Sequence, residues 1–125
     1  VSPVRPIDVA LPILRAHHGS GSVPRSLVDD VRNHVDIVRR IQPAVELTAA
    51  IDGGVKYFDR FVGRCPFCCQ ALPSFEVFRS KRIWICRACE RAGDVFRFVM
   101  ETRRVTFLEA VIATGEEGEG DDNPF

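Results

Sequence analysis

Apolar positions recur with two different periods along this chain. Between Ser26 and Ile41 the residues Leu27, Val31, Val35, Val38 and Ile41 stack on one face at helical spacing. Ser26 stands where an N-cap is expected, Asp29 and Asp30 lie in the first turn, and Arg39 and Arg40 lie in the last, all favourable to the helix dipole. Pro43 stops the helix. Further on the period shortens to two. A strand is predicted over Phe58–Arg64, then a hairpin from Ser74–Arg79 and Arg82–Cys86 around Ser80-Lys81. Alternation places Phe75, Val77 and Arg79 on one face and Glu76, Phe78 and Ser80 on the other; Arg82 and Trp84 share a face opposite Ile83 and Ile85. Helical spacing then returns. Asp94 caps a helix through about Arg103 carrying Val95, Phe98 and Val99, and Thr106 to Glu109 has capping-box spacing for a last helix ending near Gly115.

The ends lack such patterns. Residues 1–23 read as a flexible lead punctuated by Pro3, Pro6, Pro12 and the run Gly19-Ser20-Gly21-Ser22, with His17 and His18 in a solvated loop. Residues 116–125 read as an acidic disordered tail, too poor in apolar surface to fold. The folded domain is therefore expected over residues 24–115.

Charge refines this picture. The 125 residues carry 17 basic and 17 acidic side chains. Yet the stretch from Gly53 to Arg104 holds eleven Lys/Arg against five Asp/Glu, a net of +6. A basic centre flanked by an acidic tail suits an anionic partner. No apolar run approaches the length of a membrane span, and no secretory leader is evident before Pro24, so a cytoplasmic, reducing location is expected.

The candidate chemistry lies in the strands. Cys65-Pro66-Phe67-Cys68 and Cys86-Arg87-Ala88-Cys89 are separated by 17 residues. Each pair can wrap its backbone around a metal as a knuckle, and the interval accommodates a hairpin, which is the pattern of a zinc ribbon. Two disulfides or a redox pair are the competing readings. A reducing compartment disfavours the first, and Cys65 and Cys86 each end a strand-like run instead of opening a helix, which disfavours the second. Zn2+ held by Cys65, Cys68, Cys86 and Cys89 is thus expected, in an α+β fold with a small antiparallel sheet around this four-cysteine site and helices flanking it. Cys69 is a leftover thiol beside the site, competing with Cys68 as ligand, and the spacing favours Cys68.

The same residues, in order, resemble the N-terminal zinc-binding domain of bacterial and phage DNA primases, a CHC2-type zinc finger. The resemblance runs from about Val23 to Thr114 and is carried by Pro24 to Val31, Phe61 to Cys68, Pro73-Ser74-Phe75, Trp84-Ile85-Cys86 with Cys89, Ala92 to Val95, Phe98-Val99-Met100 and Val105 to Ala110. Several departures stand out. Cys68 occupies the place of the family's usual histidine ligand, making the site one charge more negative, which Arg64 and Arg87 are placed to offset. Ala71 stands where a lysine is common, Glu90 replaces the usual glycine after the fourth ligand, and the loop from Glu46 to Tyr57 is longer than typical.

The resemblance implies a module that recognises single-stranded DNA template while a separate domain makes the RNA primer; the partners it implies are that primase catalytic domain or a replicative helicase. No constellation of acids for nucleotidyl transfer is evident, and the tail acids Glu116, Glu117, Glu119, Asp121 and Asp122 lie among glycines. A stand-alone nucleic-acid-binding or protein-interaction ribbon is the alternative. Aromatics interleaved with bases suit single strands, because rings stack on unpaired bases while cations track phosphates. The candidate contacts are Arg64, Phe78, Arg79, Lys81, Arg82, Trp84 and Arg87. Two readings of the central ring stand at this point: Trp84 with Phe78 presents a template surface, or both rings are core and the charges only solvate a hairpin.

Overall fold

The computed structural model describes residues 5–17, 23–52, 55–68 and 73–117. The elements are α1 (Pro6–Arg15), α2 (Arg25–His34), α3 (Ile37–Ile41), β1 (Thr48–Asp52), β2 (Val55–Gly63), β3 (Phe75–Phe78), β4 (Ile83–Cys86), β5 (Ala92–Gly93), α4 (Val95–Arg103) and α5 (Phe107–Glu117). The five strands form one antiparallel sheet in chain order. This is the expected α+β architecture, a small sheet carrying the cysteine knuckles and flanked by helices.

The register settles which side of the sheet is core. Phe75 pairs with Cys86 and Val77 with Trp84, so these four share one face. That face is dry: Phe75, Val77, Trp84 and Cys86 are fully buried. Trp84 stacks on Phe75 with ring centroids 5.5 Å apart and meets Phe98 of α4 edge-on at 6.1 Å. Its indole Nε1 donates to the Asp94 carbonyl at 2.8 Å, so the polar tip of the ring is satisfied inside. The caps of the two following helices form as their sequences predict. The Asp94 carboxylate accepts from the Arg97 N–H at 2.9 Å, and Thr106 and Glu109 exchange bonds of 3.2 and 3.0 Å.

Three expectations are corrected. The single helix over Ser26–Ile41 is two helices, and Ser26 lies inside the first of them, whose N-cap is Pro24. Val35 is extended, and the buried Asp36 caps α3 by accepting from the Val38 N–H at 3.1 Å and from Arg79 Nε at 3.2 Å. Apolar periodicity runs unbroken through this joint, which is why it reads as one helix. The long loop after Glu46 contains β1, whose residues Thr-Ala-Ala-Ile-Asp carry little strand signal.

The third correction concerns the lead. Pro6–Arg15 is a helix whose residues Ile7, Ala10, Leu11 and Leu14 are buried at helical spacing. Pro6 occupies a first-turn position where its missing N–H costs nothing, whereas Pro12 sits inside the helix and forfeits a backbone bond. Burial of the apolar stripe against α2 and α5 offsets that loss. Gly115 makes the close approach to α5 possible: a Cβ there would lie 2.6 Å from Leu11 Cδ2 and 3.3 Å from Val31 Cγ1. The last turn of α5 is also tied by charge, Glu116 to Arg15 at 2.8 Å and Glu117 to Arg40 and Arg103, each at 2.6 Å. Glu116 and Glu117 thus belong to a helix, while residues 118–125, His18 and Gly19–Ser22 lie outside the described residues.

Candidate metal centre and the sheet face beside it

Cys65 follows the end of β2 and Cys86 is the last residue of β4; both are buried, while Cys68 and Cys89 sit half-buried one turn further along. The four sulfurs lie within 4.8 Å of one another. Cys68 and Cys86 are 3.6 Å apart, and Cys65 and Cys89 are 3.8 Å apart. A tetrahedral zinc with Zn–S bonds of about 2.3 Å separates its ligands by roughly 3.8 Å, whereas a disulfide requires about 2.05 Å. The arrangement fits the metal and not the cross-link. Cys69 lies outside the described residues.

The backbone around the sulfurs is prepared for thiolates. Phe67 N–H points at Cys65 Sγ at 3.3 Å, two residues on in the first knuckle, and Cys89 N–H at Cys86 Sγ at 3.5 Å, three residues on in the second. Ser74 Oγ lies 3.4 Å from Cys86 Sγ. In the metal-free protein, burial pushes the Cys65 thiol up to about 12 and raises Cys89 as well. Burial also opposes ionisation of Cys86, but the Ser74 hydroxyl and neighbouring N–H groups outweigh it and bring that thiol down to about 6. Metal binding would displace the remaining protons, since only thiolates ligate. Glu90 directly follows the second knuckle with φ 59°, the left-handed region glycine occupies without strain.

The CHC2 zinc-finger family matches residues 23–119. The chain belongs to this family. Zinc binding is therefore a shared property, and the four grouped cysteines are the residues placed to hold the ion. Among similar proteins, the DNA primase of Staphylococcus epidermidis is 34% identical over 94 residues, 75% of this chain and 14% of that protein. The DNA primase of Listeria monocytogenes is 38% identical over 89 residues, 71% of this chain and 13% of that protein. A crystal structure of the Aquifex aeolicus primase, comprising zinc-binding and RNA polymerase domains, superposes with a TM-score of 0.63 at 28% identity, covering 74% of this chain and 21% of that one. The chain thus spans about one-seventh of the length of the primases it matches.

The sequence-predicted contact residues divide between the two sides of the sheet. Trp84 is wholly buried on the inner face, so its ring is not available for stacking on a base. Arg79 also points inward, bonded to Asp36 and lying 4.8 Å over the Phe61 ring, where it joins α3 to the sheet. Arg82 holds the left-handed position of the hairpin turn, φ 57°. The outer face keeps Phe78, half-buried with the Lys81 ammonium 5.5 Å above its ring, and Arg87, whose side chain is 68% exposed. Arg64 is exposed at the rim of a groove of about 620 Å³ running beside Thr48, Val62, Pro66 and Pro73. Three outer-face residues were not among the sequence-predicted contacts: Arg60 and Ile83, which flank Phe78 on the neighbouring strands, and Glu76, two residues before Phe78 on β3. Their signal was the period-two alternation itself, which pairs Arg60, Phe78 and Ile83 once the strands are aligned.

Proposed function

We propose that the chain is the template-recognition module of a DNA primase. Cys65, Cys68, Cys86 and Cys89 hold the zinc, and the metal fixes the hairpin whose outer face meets single-stranded DNA. Primer synthesis belongs to a separate catalytic domain, with a replicative helicase as a further partner, in the cytoplasm. What supports this reading is one juxtaposition: on the outer face half-buried Phe78 lies beside exposed Ile83, with Arg60 opposite it and Lys81 over its ring, and Arg87 is held at Glu76 further along the same face. A partly exposed aromatic among cations is a composition suited to unpaired bases and their phosphates. Trp84, the residue that sequence alone would choose, serves this surface from behind by packing the strands that carry it.

The electrostatics of the face set its expected strength. Arg60 and Arg87 share one acid, and among the described residues no acid is paired with Arg64 or Lys81. Such a face would neutralise about three phosphates and give a slope of about −2 in log K against log salt for a single strand. Titration of fluorescent single-stranded DNA with zinc-loaded protein at two salt concentrations tests it, with duplex DNA and metal-stripped protein as controls. Zinc-dependent, salt-sensitive preference for the single strand is the expected result. Absence of binding at low salt would overturn the reading.

A further inference from the structure

β3 is the middle strand of the sheet, and Glu76 stands at the centre of its outer face, opposite Val62 on one side and Ile85 on the other. A carboxylate there subtracts charge from a surface meant for phosphates. Its surroundings explain its presence. The Glu76 side chain is only 3% exposed, and both oxygens are taken by arginines from different parts of the sheet. Oε1 accepts from Arg60 Nε at 2.7 Å and from the same guanidinium's Nη2, while Oε2 accepts from Arg87 Nε. Burial alone would raise the carboxyl, but the hydrogen bonds from Arg60 and Arg87 outweigh it and hold Glu76 below the usual carboxylate range. The two cations nonetheless stay open to solvent, 42% and 68% exposed.

We propose that Glu76 is a positioning residue that clamps Arg60 and Arg87, so that their remaining guanidinium N–H groups form one two-pronged site for a phosphodiester of single-stranded nucleic acid. The proposal rests on the template-binding reading above. Its physical basis is preorganisation. A lone surface arginine must surrender rotamer freedom when it binds, whereas these two lose that freedom when the protein folds. The buried carboxylate exchanges one unit of attraction for two fixed forks, and a planar guanidinium gains from fixed orientation because it recognises phosphate oxygens in parallel pairs.

The substitution Glu76→Gln separates charge from position because the two effects have opposite signs. If the face worked by charge alone, removing the carboxylate would tighten binding to an oligothymidylate and steepen the salt slope by about 0.7. Positioning predicts weaker binding, by about five- to tenfold, since both guanidiniums lose their fixed geometry. Cobalt substituted at the thiolate site reports through its absorption that the variant is folded. In the wild-type protein, the Nε–Hε resonances of Arg60 and Arg87 should be slow to exchange with water and should shift when the oligonucleotide is added; that measurement stands even if the variant fails to fold. Equal or tighter binding by Glu76→Gln, or unshifted arginine resonances in a protein that does bind DNA, overturns the role of Glu76 and leaves template binding intact. If the wild-type protein shows no affinity at low salt, the template reading falls, and this proposal with it.

Discussion

Phe75 and Phe78 lie on the same strand, three residues apart, and live in opposite environments. The inner face that Phe75 shares with Val77 and Trp84 is closed by α4 and by the Phe67 knuckle, with rings 5.4 to 6.2 Å from one another. On the outer face that Phe78 shares with Ile83, Ile83 is 42% exposed and the Lys81 ammonium stands over the Phe78 ring. The two faces use overlapping side-chain types. What separates them is the identity of the neighbours, and on the proposed reading this gives stability to one face and recognition to the other.

Removing the metal should abolish the comparison altogether. Structural zinc contributes on the order of 10 kcal/mol, comparable with the stability of a whole small domain, so a chelator should dissolve both faces at once. Trp84 is the sole tryptophan, and its emission should move to the red as its ring meets water. A blue emission that persists after zinc loss would mean that the inner face stands without its metal.

Next in size is Trp84→Ala, which should cost about 3–5 kcal/mol of folding stability while the folded fraction retains DNA affinity. Thermal unfolding and DNA titration together check this; a variant of unchanged stability with lost affinity would invert the assignment of the two faces. Phe78→Ala should do the reverse. Affinity for single strands should fall by about 1–3 kcal/mol, as expected for loss of one stacking platform, with little change in melting temperature.

The smallest effect belongs to the second knuckle. Glu90 occupies a left-handed conformation that costs a residue with a Cβ roughly 1–2 kcal/mol, part of which glycine would return to the unfolded chain as entropy. Glu90→Gly should therefore stabilise the zinc-loaded protein by about 0.5–1 kcal/mol in chemical denaturation. Destabilisation would show that the Glu90 side chain supports the knuckle.

The chemistry of the site was legible because it is local: two Cys-x-x-Cys knuckles, the Asp94 cap and the Thr106 to Glu109 box each depend on residues a few positions apart. Sidedness was not. Alternation sorts Phe75 from Phe78, but only the packing of α4 on one side decides which of them is core, and that choice moved Trp84 from candidate contact to buried support. The Glu76 clamp depends on register between three strands, and a lone glutamate in a basic hairpin carries no mark of it. Helix α1 was hidden by its prolines, whose local penalty is visible in sequence while the compensating burial on α2 and α5 is not.

That helix lies wholly outside the stretch matched by the CHC2 family, yet its seat is a glycine inside it. In evolutionary terms, the added helix and the zinc module share one seam, since a methyl at position 115 would press on Leu11 and Ile7 of α1 and on Val31 of α2 alike. A change at that one position is therefore felt on both sides of the seam, and the side chains that must give way are those of Leu11, Ile7 and Val31.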